Sequence, residues 1–446
     1  MLGINFNSSR IAIIQNNIKI NYKELKINIL QVSEFLKKKK IKKKDVIFVN
    51  LENSYFYILL YLASFINNYI IVPINKNLSK KEIAQLKEKL KPKIIISKIF
   101  NYHSIKVRGN KKIKFDIGAV NSIFFSSGTT GDYKGIMHNY KSLYNSAKNF
   151  SIVYNVKNIR FLSFLPMSYM AGFLNSILNI LILNGTIIIK KKFDYELLKN
   201  FFKIIKEYKI NSLWATPTNV QLLNKAHSSN KNNFLKNIFV GMDKLRINDK
   251  LIFKKKFNIN CLESYGTSEA LFVSIKKSFS HNESSGNLLK NVKILFDQDE
   301  VVVKSNSIMV GYFKNLMCLT KKENQKIFYT GDFGYLNKKE IYISGRKKNL
   351  IIKGGENIYP QDVENKLLKC KFIKDVKVIP LKDKIAGEEL GYVIIAKNND
   401  KKAEIKKYIN KYVPKIFYPK KIFFLKNIPV NFNGKIDTNK LINSLQ

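Results

Sequence analysis

A run of glycines and hydroxyl residues near position 130 is the part of the chain best suited to chemistry. It reads Ser126-Ser127-Gly128-Thr129-Thr130-Gly131-Asp132-Tyr133-Lys134-Gly135 and follows the apolar residues 123–125. Amides, hydroxyls and an ammonium in a turn opened by glycine are typical of a phosphate-binding loop. The run departs from the Walker pattern, because Gly131 lies three residues before Lys134 and no Ser or Thr follows the lysine. Taken alone, it is equally typical of a surface loop.

Five further blocks follow this run in order, and each alone is weak evidence. A lone Tyr-Gly is typical of a turn, and a lone Gly-Asp of a loop. The blocks are Pro166-Met167-Ser168-Tyr169-Met170-Ala171-Gly172; Glu263-Ser264-Tyr265-Gly266-Thr267-Ser268-Glu269; Tyr329-Thr330-Gly331-Asp332; Gly345-Arg346-Lys347-Lys348-Asn349 running on to Lys353-Gly354-Gly355-Glu356-Asn357-Ile358-Tyr359-Pro360; and Pro429-Val430-Asn431-Phe432-Asn433-Gly434-Lys435-Ile436-Asp437.

Together and in this order, the blocks resemble the adenylate-forming (AMP-binding) superfamily, and most closely its acyl-CoA synthetases. The likeness runs from the helix near residue 22 to Leu441. It implies an acid–thiol ligase that works in two steps. A carboxylate attacks the α-phosphate of ATP, giving an acyl-adenylate and pyrophosphate, and a thiol then takes the acyl group and releases AMP. The implied cofactors are ATP, Mg²⁺ and coenzyme A, the last as a co-substrate.

The resemblance also implies an ATP site in which the opening loop holds the β- and γ-phosphates. Tyr265 would stack on adenine, Asp332 would accept hydrogen bonds from the ribose, and Arg346 would assist. Gly241-Met242-Asp243 departs from the family's usual turn beside adenine. The full implied set is Ser126, Ser127, Gly128, Thr129, Thr130, Gly131, Lys134, Gly241, Tyr265, Gly266, Asp332 and Arg346.

The implied catalytic residues are Lys435, Glu269, Ser268 and Arg346. Lys435 would bridge the substrate carboxylate and the α-phosphate and so stabilise the charge as the new bond forms. Glu269 would hold Mg²⁺, as a hard oxygen ligand for a hard cation. By the same likeness, Lys348 is the hinge about which a small C-terminal domain swings between the two steps.

The substrate and pantetheine path implied by the resemblance is apolar or small. It comprises Tyr169, Met170, Gly172, Trp214, Gly354 and Gly355. Tyr133 replaces a usual Pro, and Tyr140 and Tyr169 replace frequent His residues; core packing is the alternative role of Tyr169. No Asp stands in residues 168–172 to bind an amine. We therefore expect a fatty acid, with an aryl or o-succinylbenzoate-type acid as the alternative. A carrier-protein phosphopantetheine is the alternative to CoA.

Composition limits the classes of partner. The net charge is +47, yet only five of the 79 basic residues are Arg. Lysines scattered along the whole chain, with abundant Asn and Ile, indicate an AT-rich genome rather than a specific nucleic-acid-binding surface. The excess charge still favours anionic ligands such as nucleotides and CoA. Three widely spaced cysteines form neither a metal motif nor a disulfide framework, and so indicate a reducing, cytoplasmic location.

The elements that must position these residues follow from hydrophobic periodicity. We predict a helix after Asn21, which can cap it with Glu24 three residues on. Its buried stripe would comprise Tyr22, Leu25, Ile29, Val32 and Leu36. We also predict a buried helix near 54–66, helices near 79–90, 139–150 and 194–208, and short buried strands between them, among them residues 46–49, 94–96 and 186–189. Asn67-Asn68 interrupts the longest apolar stretch, which argues against a membrane span, and no signal peptide is apparent. Residues 291–344 predict antiparallel strands.

The predicted fold is α/β. A large N-terminal domain, residues 1–345, would hold two mainly parallel sheets with helices and a distorted β-barrel region. A small mobile α+β domain would span residues 346–446.

Overall fold

The structure is a computed structural model that describes residues 3–76, 78–108, 113, 115, 117–126, 134–154, 158–229, 233–313, 327–353, 356–383, 387–429, 441 and 445. The chain divides into two compact units, residues 1–293 with 303–328 and residues 294–302 with 329–446. The boundary predicted between residues 345 and 346 stays a prediction.

The helices alternate with strands along most of the chain, as predicted. They are α1 (Tyr22–Lys38), α2 (Tyr55–Asn67), α3 (Lys80–Leu90), α4 (Tyr140–Ser151), α5 (Met170–Phe173), α6 (Asn179–Ile182), α7 (Tyr195–Lys199), α8 (Phe201–Glu207), α9 (Pro217–Ala226), α10 (Ile247–Phe257), α11 (Pro360–Leu367) and α12 (Lys402–Tyr412). A π-helical stretch, Leu174–Leu178, joins α5 to α6, and short 3₁₀ turns lie at Lys347–Asn349, Asn399–Lys401 and Lys415–Phe417.

The strands range from two to eleven residues in length. They are β1 (Ile11–Gln15), β2 (Ile18–Asn21), β3 (Val46–Val49), β4 (Ile70–Pro73), β5 (Ile94–Ile96), β6 (Val120–Ser126), β7 (Lys134–Asn139), β8 (Arg160–Ser163), β9 (Thr186–Ile189), β10 (Ser212–Ala215), β11 (Asn237–Val240), β12 (Asn260–Thr267), β13 (Leu271–Ile275), β14 (Asn287–Leu288), β15 (Val292–Asp297), β16 (Glu300–Ser305), β17 (Gly311–Phe313), β18 (Ile327–Asn337), β19 (Glu340–Arg346), β20 (Ile351–Lys353), β21 (Glu356–Ile358), β22 (Ile373–Asp383), β23 (Gly387–Ala396) and β24 (Lys421–Phe424).

Two sheets form the first unit, and their central strands are parallel as predicted. One has the order β14-β13-β12-β11-β10-β8-β9-β1-β2, and the other β17-β7-β6-β4-β3-β5. Parallel pairing joins β9 to β8, β8 to β10, β10 to β11 and β11 to β12. The second sheet is parallel through β5, β3, β4 and β6 and antiparallel at β6, β7 and β17. Helices cover these buried strands, which is the layered architecture expected of α/β proteins.

The second unit is mainly antiparallel. Strands β18 and β19 pair over Asp332–Asn337, and β22 and β23 form a long antiparallel ladder. The latter sheet has the order β21-β20-β23-β22, with β24 parallel to β23. Helices α11 and α12 pack on it through a core that includes Val363, Leu367, Ile405 and Ile409.

Helix α1 shows how local sequence defines an element. The Asn21 side chain accepts from the Glu24 amide, and the Glu24 carboxylate accepts from the Asn21 amide, which forms the predicted capping box. Tyr22, Leu25, Ile29, Val32 and Leu36 are all buried, so the stripe read from the sequence is the face that packs. This helix therefore begins and packs as its sequence predicts.

Several helices end in a left-handed residue that is not glycine. The C-cap of α2 is Asn68 with φ 57°, that of α3 is Lys91 with φ 43°, and that of α10 is Asn258 with φ 54°. Asn tolerates this conformation because its short side chain can bond to the local backbone, whereas lysine has no such compensation.

The structure differs in detail from three predictions made from the sequence. The helix predicted at 194–208 is interrupted at Asn200, whose side chain donates to the Glu196 carbonyl. The glycine-rich block after Arg346, for which we predicted no strand, contains the antiparallel pair β20–β21, with Ile351 opposite Ile358. The turn expected at Gly266 is a bulge within β12. Within the described part of the chain, no helix is both long and apolar enough to span a membrane.

Candidate active site

The carboxyl ends of β10 and β11 and the second half of β12 bring predicted site residues to one edge of a sheet in the first unit. Ala215, the last residue of β10, pairs with Val240, the last residue of β11, and Val240 pairs with Glu263 within β12. Gly241 directly follows β11, and Tyr265 lies in β12 two residues beyond Glu263. In open α/β sheets, ligands bind in the crevice outside such carboxyl ends. The geometry therefore groups the residues predicted to surround adenine.

Gly241 occupies a site with little room for a side chain. A Cβ there would lie 3.1 Å from the Trp214 ring and 3.3 Å from the Ser264 carbonyl oxygen. The next residue, Met242, adopts a left-handed φ of 72° and is partly exposed. The unusual Gly-Met-Asp turn is thus accommodated in close contact with β10 and β12.

The segment after β8 is fixed by two residues that the sequence did not single out. Asn53 donates to the Leu165 carbonyl at 2.8 Å and accepts from the Met167 amide at 2.8 Å. The Tyr61 hydroxyl donates to the Met167 carbonyl at 2.8 Å. Asn53 lies just before α2 and Tyr61 lies within it, and both are more than 100 positions away from the segment that they hold. Only the folded structure reveals these contacts.

The predicted substrate-path residues are partly core residues. Tyr169 is half-buried, precedes α5, and its hydroxyl accepts a hydrogen bond from the Asn75 amide. Met170 is buried. Trp214 is 2% exposed and packs against Phe150, Phe239 and Phe272, so its ring belongs to an aromatic cluster.

Gly172 is required by close packing rather than by backbone torsion. A Cβ at this position would lie 1.9 Å from the Pro166 carbonyl oxygen. Any side chain would push α5 away from the segment that Asn53 and Tyr61 hold. The glycine therefore keeps Tyr169 and Met170 close to the end of β8.

Ser268 and Glu269 lie in the turn after β12, and His138 of β7 holds this turn from the other sheet. The His138 Nε2 donates to the Ser268 carbonyl at 2.8 Å, and Nδ1 lies 3.1 Å from Ser142 Oγ. His138 is fully buried, and burial lowers its pKa from 6.5 to about 4 against the opposing effect of the Ser268 hydrogen bond. The ring is therefore neutral at physiological pH. No motif in the sequence indicates a role for this histidine.

Glu269 is bound at two points by the segment leading through β17. The Met309 amide donates to the Glu269 carbonyl at 2.7 Å, and the Tyr312 hydroxyl donates to Glu269 Oε1 at 2.9 Å. The Lys134 ammonium lies 5.5 Å from the centre of the Tyr312 ring, within the range of a cation–π contact. Tyr312, which the sequence did not indicate, thus contacts both Glu269 and the residue that ends the glycine-rich loop.

In the second unit, the structure pairs Asp332 with Arg346. The Arg346 Nε lies 2.7 Å from Asp332 Oδ1, and the two are partners across β18 and β19. Gly331 adopts φ 69°, which favours glycine, and its amide donates to Glu300 Oε1 at 2.9 Å. Asp332 itself lies within β18.

The remaining predicted residues are outside the structural description. Ser127, Gly128, Thr129, Thr130, Gly131, Gly354, Gly355 and Lys435 lie beyond the described residues. Ser126 ends β6 opposite Lys134, and Lys348 lies in a 3₁₀ turn between β19 and β20. The roles of all these residues stay predictions.

A buried charged cluster contacts Glu263 of β12. Lys250 and Lys276 are 0% and 1% exposed, and their ammoniums lie 2.9 and 3.4 Å from the two oxygens of Glu263. Both also donate to the Asn282 carbonyl. Desolvation outweighs the attraction of Glu263 and lowers the pKa of Lys276 to about 8.

A divalent cation at Glu269 would need coordinating oxygens from a bound nucleotide or from water in addition to the protein's own side chain. Among the described residues, no three His, Cys, Asp or Glu side chains cluster as a metal site. Glu269 offers one carboxylate, with Oε1 bonded to Tyr312. Mg²⁺ in phosphoryl-transfer sites is typically held by one or two carboxylates, substrate phosphates and water. A single half-buried carboxylate fits a magnesium ion whose shell a nucleotide completes.

The fold and this arrangement agree with a comparison against protein families. Residues 5–313 match the AMP-binding enzyme family, and residues 362–435 match the AMP-binding enzyme C-terminal domain. The chain therefore belongs to the AMP-binding enzyme family. The predicted class, an AMP-forming acid–thiol ligase, is confirmed.

Curated relatives align over most of the chain. A 2-succinylbenzoate–CoA ligase of Bacillus pumilus is 22% identical over 97% of this chain and 94% of its own length. One from Staphylococcus epidermidis is 24% identical over 98% of this chain and 95% of its own length. The long-chain-fatty-acid–CoA ligase FadD13 of Mycobacterium tuberculosis is 26% identical over 70% of this chain and 65% of its own length.

Solved structures confirm the fold. The o-succinylbenzoate CoA synthetase of Bacillus subtilis in complex with ATP and magnesium superposes with a TM-score of 0.83 at 22% identity, covering 97% of each chain. ATP-bound MatB from Rhodopseudomonas palustris gives a TM-score of 0.87 at 19% identity, covering 98% of this chain and 96% of its own. The predicted α/β architecture with a large N-terminal and a small C-terminal part is thus confirmed.

Proposed function

We propose that the protein activates a carboxylic acid with ATP and transfers the acyl group to coenzyme A, and that the acid is an aromatic one of the o-succinylbenzoate type. The observation that carries the activity is the grouping of Gly241, Tyr265, Ser268 and Glu269 at and beyond the carboxyl ends of β11 and β12. An aromatic ring, a hydroxyl and a carboxylate at the edge where open α/β sheets bind ligands support a nucleotide site there.

The chain's own groups divide the first step between them. Tyr265 provides a face for adenine, and Ser268 a hydroxyl for the α-phosphate. Asp332, held by Arg346, accepts from the ribose hydroxyls. Lys134 neutralises the departing pyrophosphate, and Lys435 stabilises the charge that develops between the carboxylate and the α-phosphate. Mg²⁺, held by Glu269, would supply further neutralisation of phosphate charge.

The relatives favour an aromatic acid over the fatty acid expected first. The 2-succinylbenzoate–CoA ligases align over nearly the whole chain, whereas the fatty-acid ligase aligns over 70% of it. The half-buried Tyr169, buried Met170 and the small Gly172 would form the acid-binding side of the site. The ordered hydrogen bond between Tyr169 and Asn75 gives this side a polar group that a second carboxylate or a keto oxygen could use.

The second step needs a thiol acceptor. Coenzyme A is the acceptor named for the curated relatives. Gly354 and Gly355 would leave room for its pantetheine, and the excess of basic residues would favour its phosphates. Loading of a carrier-protein phosphopantetheine is the alternative, and CoA dependence separates the two.

The experiment is a measurement of AMP release across a panel of acids, with and without CoA. We expect turnover with o-succinylbenzoate and related aryl acids that requires CoA, and slower turnover with fatty acids. Turnover with a purified carrier protein in place of CoA would support the alternative. If no acid supports AMP release, the proposed activity is wrong.

A further inference from the structure

Tyr312 lies where two parts of the candidate site meet. Its strand, β17, pairs with β7, and Tyr312 stands opposite Ile136 in that pairing. Lys134 begins β7 directly after the glycine-rich loop. The side chain of Tyr312 therefore projects from a strand that is hydrogen-bonded to the end of that loop.

The same side chain contacts Glu269 through its hydroxyl and Lys134 through its ring. The hydroxyl donates to Glu269 Oε1 at 2.9 Å, and the Lys134 Nζ lies 5.5 Å from the ring centre. A hydroxyl that donates to a carboxylate fixes the carboxylate's orientation, and a ring face attracts an ammonium. Tyr312 thus contacts both the Glu269 carboxylate and the Lys134 ammonium, two charged groups that would act on the same triphosphate.

The backbone around Tyr312 makes this arrangement rigid. The Met309 amide donates to the Glu269 carbonyl at 2.7 Å, and the Val310 amide donates to the Met137 carbonyl at 2.8 Å. The segment 309–313 is therefore bonded both to the turn that carries Glu269 and to the strand that carries Lys134.

We propose that Tyr312 is a positioning residue for adenylation, which orients the Glu269 carboxylate for Mg²⁺ and sets Lys134 at a fixed place beside it. This inference rests on the proposed function, since it assigns Glu269 and Lys134 to one bound triphosphate. In this proposal Tyr312 does not contact the substrate carboxylate or the α-phosphate and acts through Glu269 and Lys134.

The test distinguishes the effect of the Tyr312 hydroxyl on ATP binding from the effect of its ring. It also distinguishes both from a change in the stability of the protein. ATP binding is measured by calorimetry, with Mg²⁺ and with EDTA, for the full chain and for Tyr312→Phe, Tyr312→Leu and Tyr22→Phe. Tyr22→Phe is the matched control, because the buried Tyr22 hydroxyl donates to the Gly185 carbonyl at 2.7 Å in another part of the first unit. Thermal unfolding is recorded for each variant.

We expect Tyr312→Phe to weaken ATP binding about tenfold with Mg²⁺, as for the loss of a hydrogen bond to a charged group, and to leave binding in EDTA unchanged. Tyr312→Leu should weaken both, because Lys134 loses the ring. Tyr22→Phe should lower stability without changing either affinity. In a Glu269→Gln background, the Mg²⁺-specific effect of Tyr312→Phe should disappear.

The results distinguish the two levels of proposal. If the unaltered protein binds ATP no better with Mg²⁺ than with EDTA, the proposed function fails, and this inference fails with it. If the unaltered protein shows the Mg²⁺ effect and Tyr312→Phe retains it in full, the proposed function stands and the positioning role of Tyr312 is wrong. A Tyr312→Phe effect that persists at equal size in the Glu269→Gln background also contradicts it.

Discussion

Asp332 and Arg346 face each other across β18 and β19, with Arg346 Nε 2.7 Å from Asp332 Oδ1. Their environments are unequal, because the Asp332 side chain is 2% exposed and that of Arg346 is 46% exposed. The guanidinium has several donors and can hold the carboxylate with one edge while another faces outward. The pair therefore presents an oriented carboxylate beside a cation that can still contact a ligand.

Asp332→Asn tests this arrangement. The amide keeps the shape of the side chain but loses the charge that strengthens bonds to ribose hydroxyls, so we expect ATP affinity to fall about 10- to 100-fold. Titration calorimetry measures this. Asp383→Asn, which removes the negative charge of the ion pair with Lys420, is the control and should bind ATP as the unaltered protein does. Equal affinity in both variants would contradict the ribose role.

Lys435→Ala tests the second assignment that rests on the family resemblance. If this ammonium stabilises the developing charge, ATP–pyrophosphate exchange should fall by about 10²- to 10³-fold while ATP binding changes little. The exposed Lys415 provides the control, since Lys415→Ala removes a charge from the same unit. Exchange that survives Lys435→Ala would rule out the proposed mechanism.

His138→Gln should change how stability depends on pH. The folded pKa of about 4 is below the ordinary 6.5, so the unfolded chain binds a proton more readily between these values. The stabilisation from the neutral ring is complete above pH 6.5 and is lost as the pH falls toward 4, by about 3 kcal/mol in total.

Urea unfolding at pH 7.5, 6 and 5 measures this loss. His138→Gln should be less stable at pH 7.5 and should lose less stability on acidification. His281→Gln, which alters an exposed histidine, should keep the unaltered slope. Equal slopes in the unaltered protein and His138→Gln would show that this ring does not titrate as its burial requires.

In the buried cluster that contacts β12, substitutions of the anion and of a cation should differ in their effect on the free energy of unfolding. Glu263→Gln would leave the buried Lys250 and Lys276 ammoniums without their anion, and we expect a loss of about 3–5 kcal/mol in the free energy of unfolding. Lys276→Met should be nearly neutral, because it removes a buried cation in excess of the single carboxylate. Denaturant titration compares them, and a larger loss in Lys276→Met than in Glu263→Gln would contradict this account.

Elements with local signals were predicted well. The capping box of Asn21 and Glu24, the apolar stripe of α1 and the runs that became β3, β5 and β9 depend on neighbouring residues, which a sequence displays directly. The π-helical stretch after α5 and the interruption at Asn200 were missed, because tertiary packing and single side-chain bonds decide such features.

The residues of the candidate site show the same contrast between local sequence signals and long-range contacts. Glu269, Asp332 and Arg346 lie in short blocks and could be found by resemblance. Their supports could not, since Tyr312 reaches Glu269 across 43 positions and His138 reaches Ser268 across 130. Contacts at such separations depend on which strands become neighbours, and no local pattern encodes them.

Lysines in the left-handed conformation have a consequence for the chain's tolerance of change. At Lys91, and also at Lys44 and Lys209, a lysine occupies a conformation that glycine adopts without strain. Each such position holds a small amount of unrealised stability. A protein whose composition has drifted toward lysine therefore retains a set of surface positions at which glycine would relieve strain, and these are natural starting points for making a more robust catalyst.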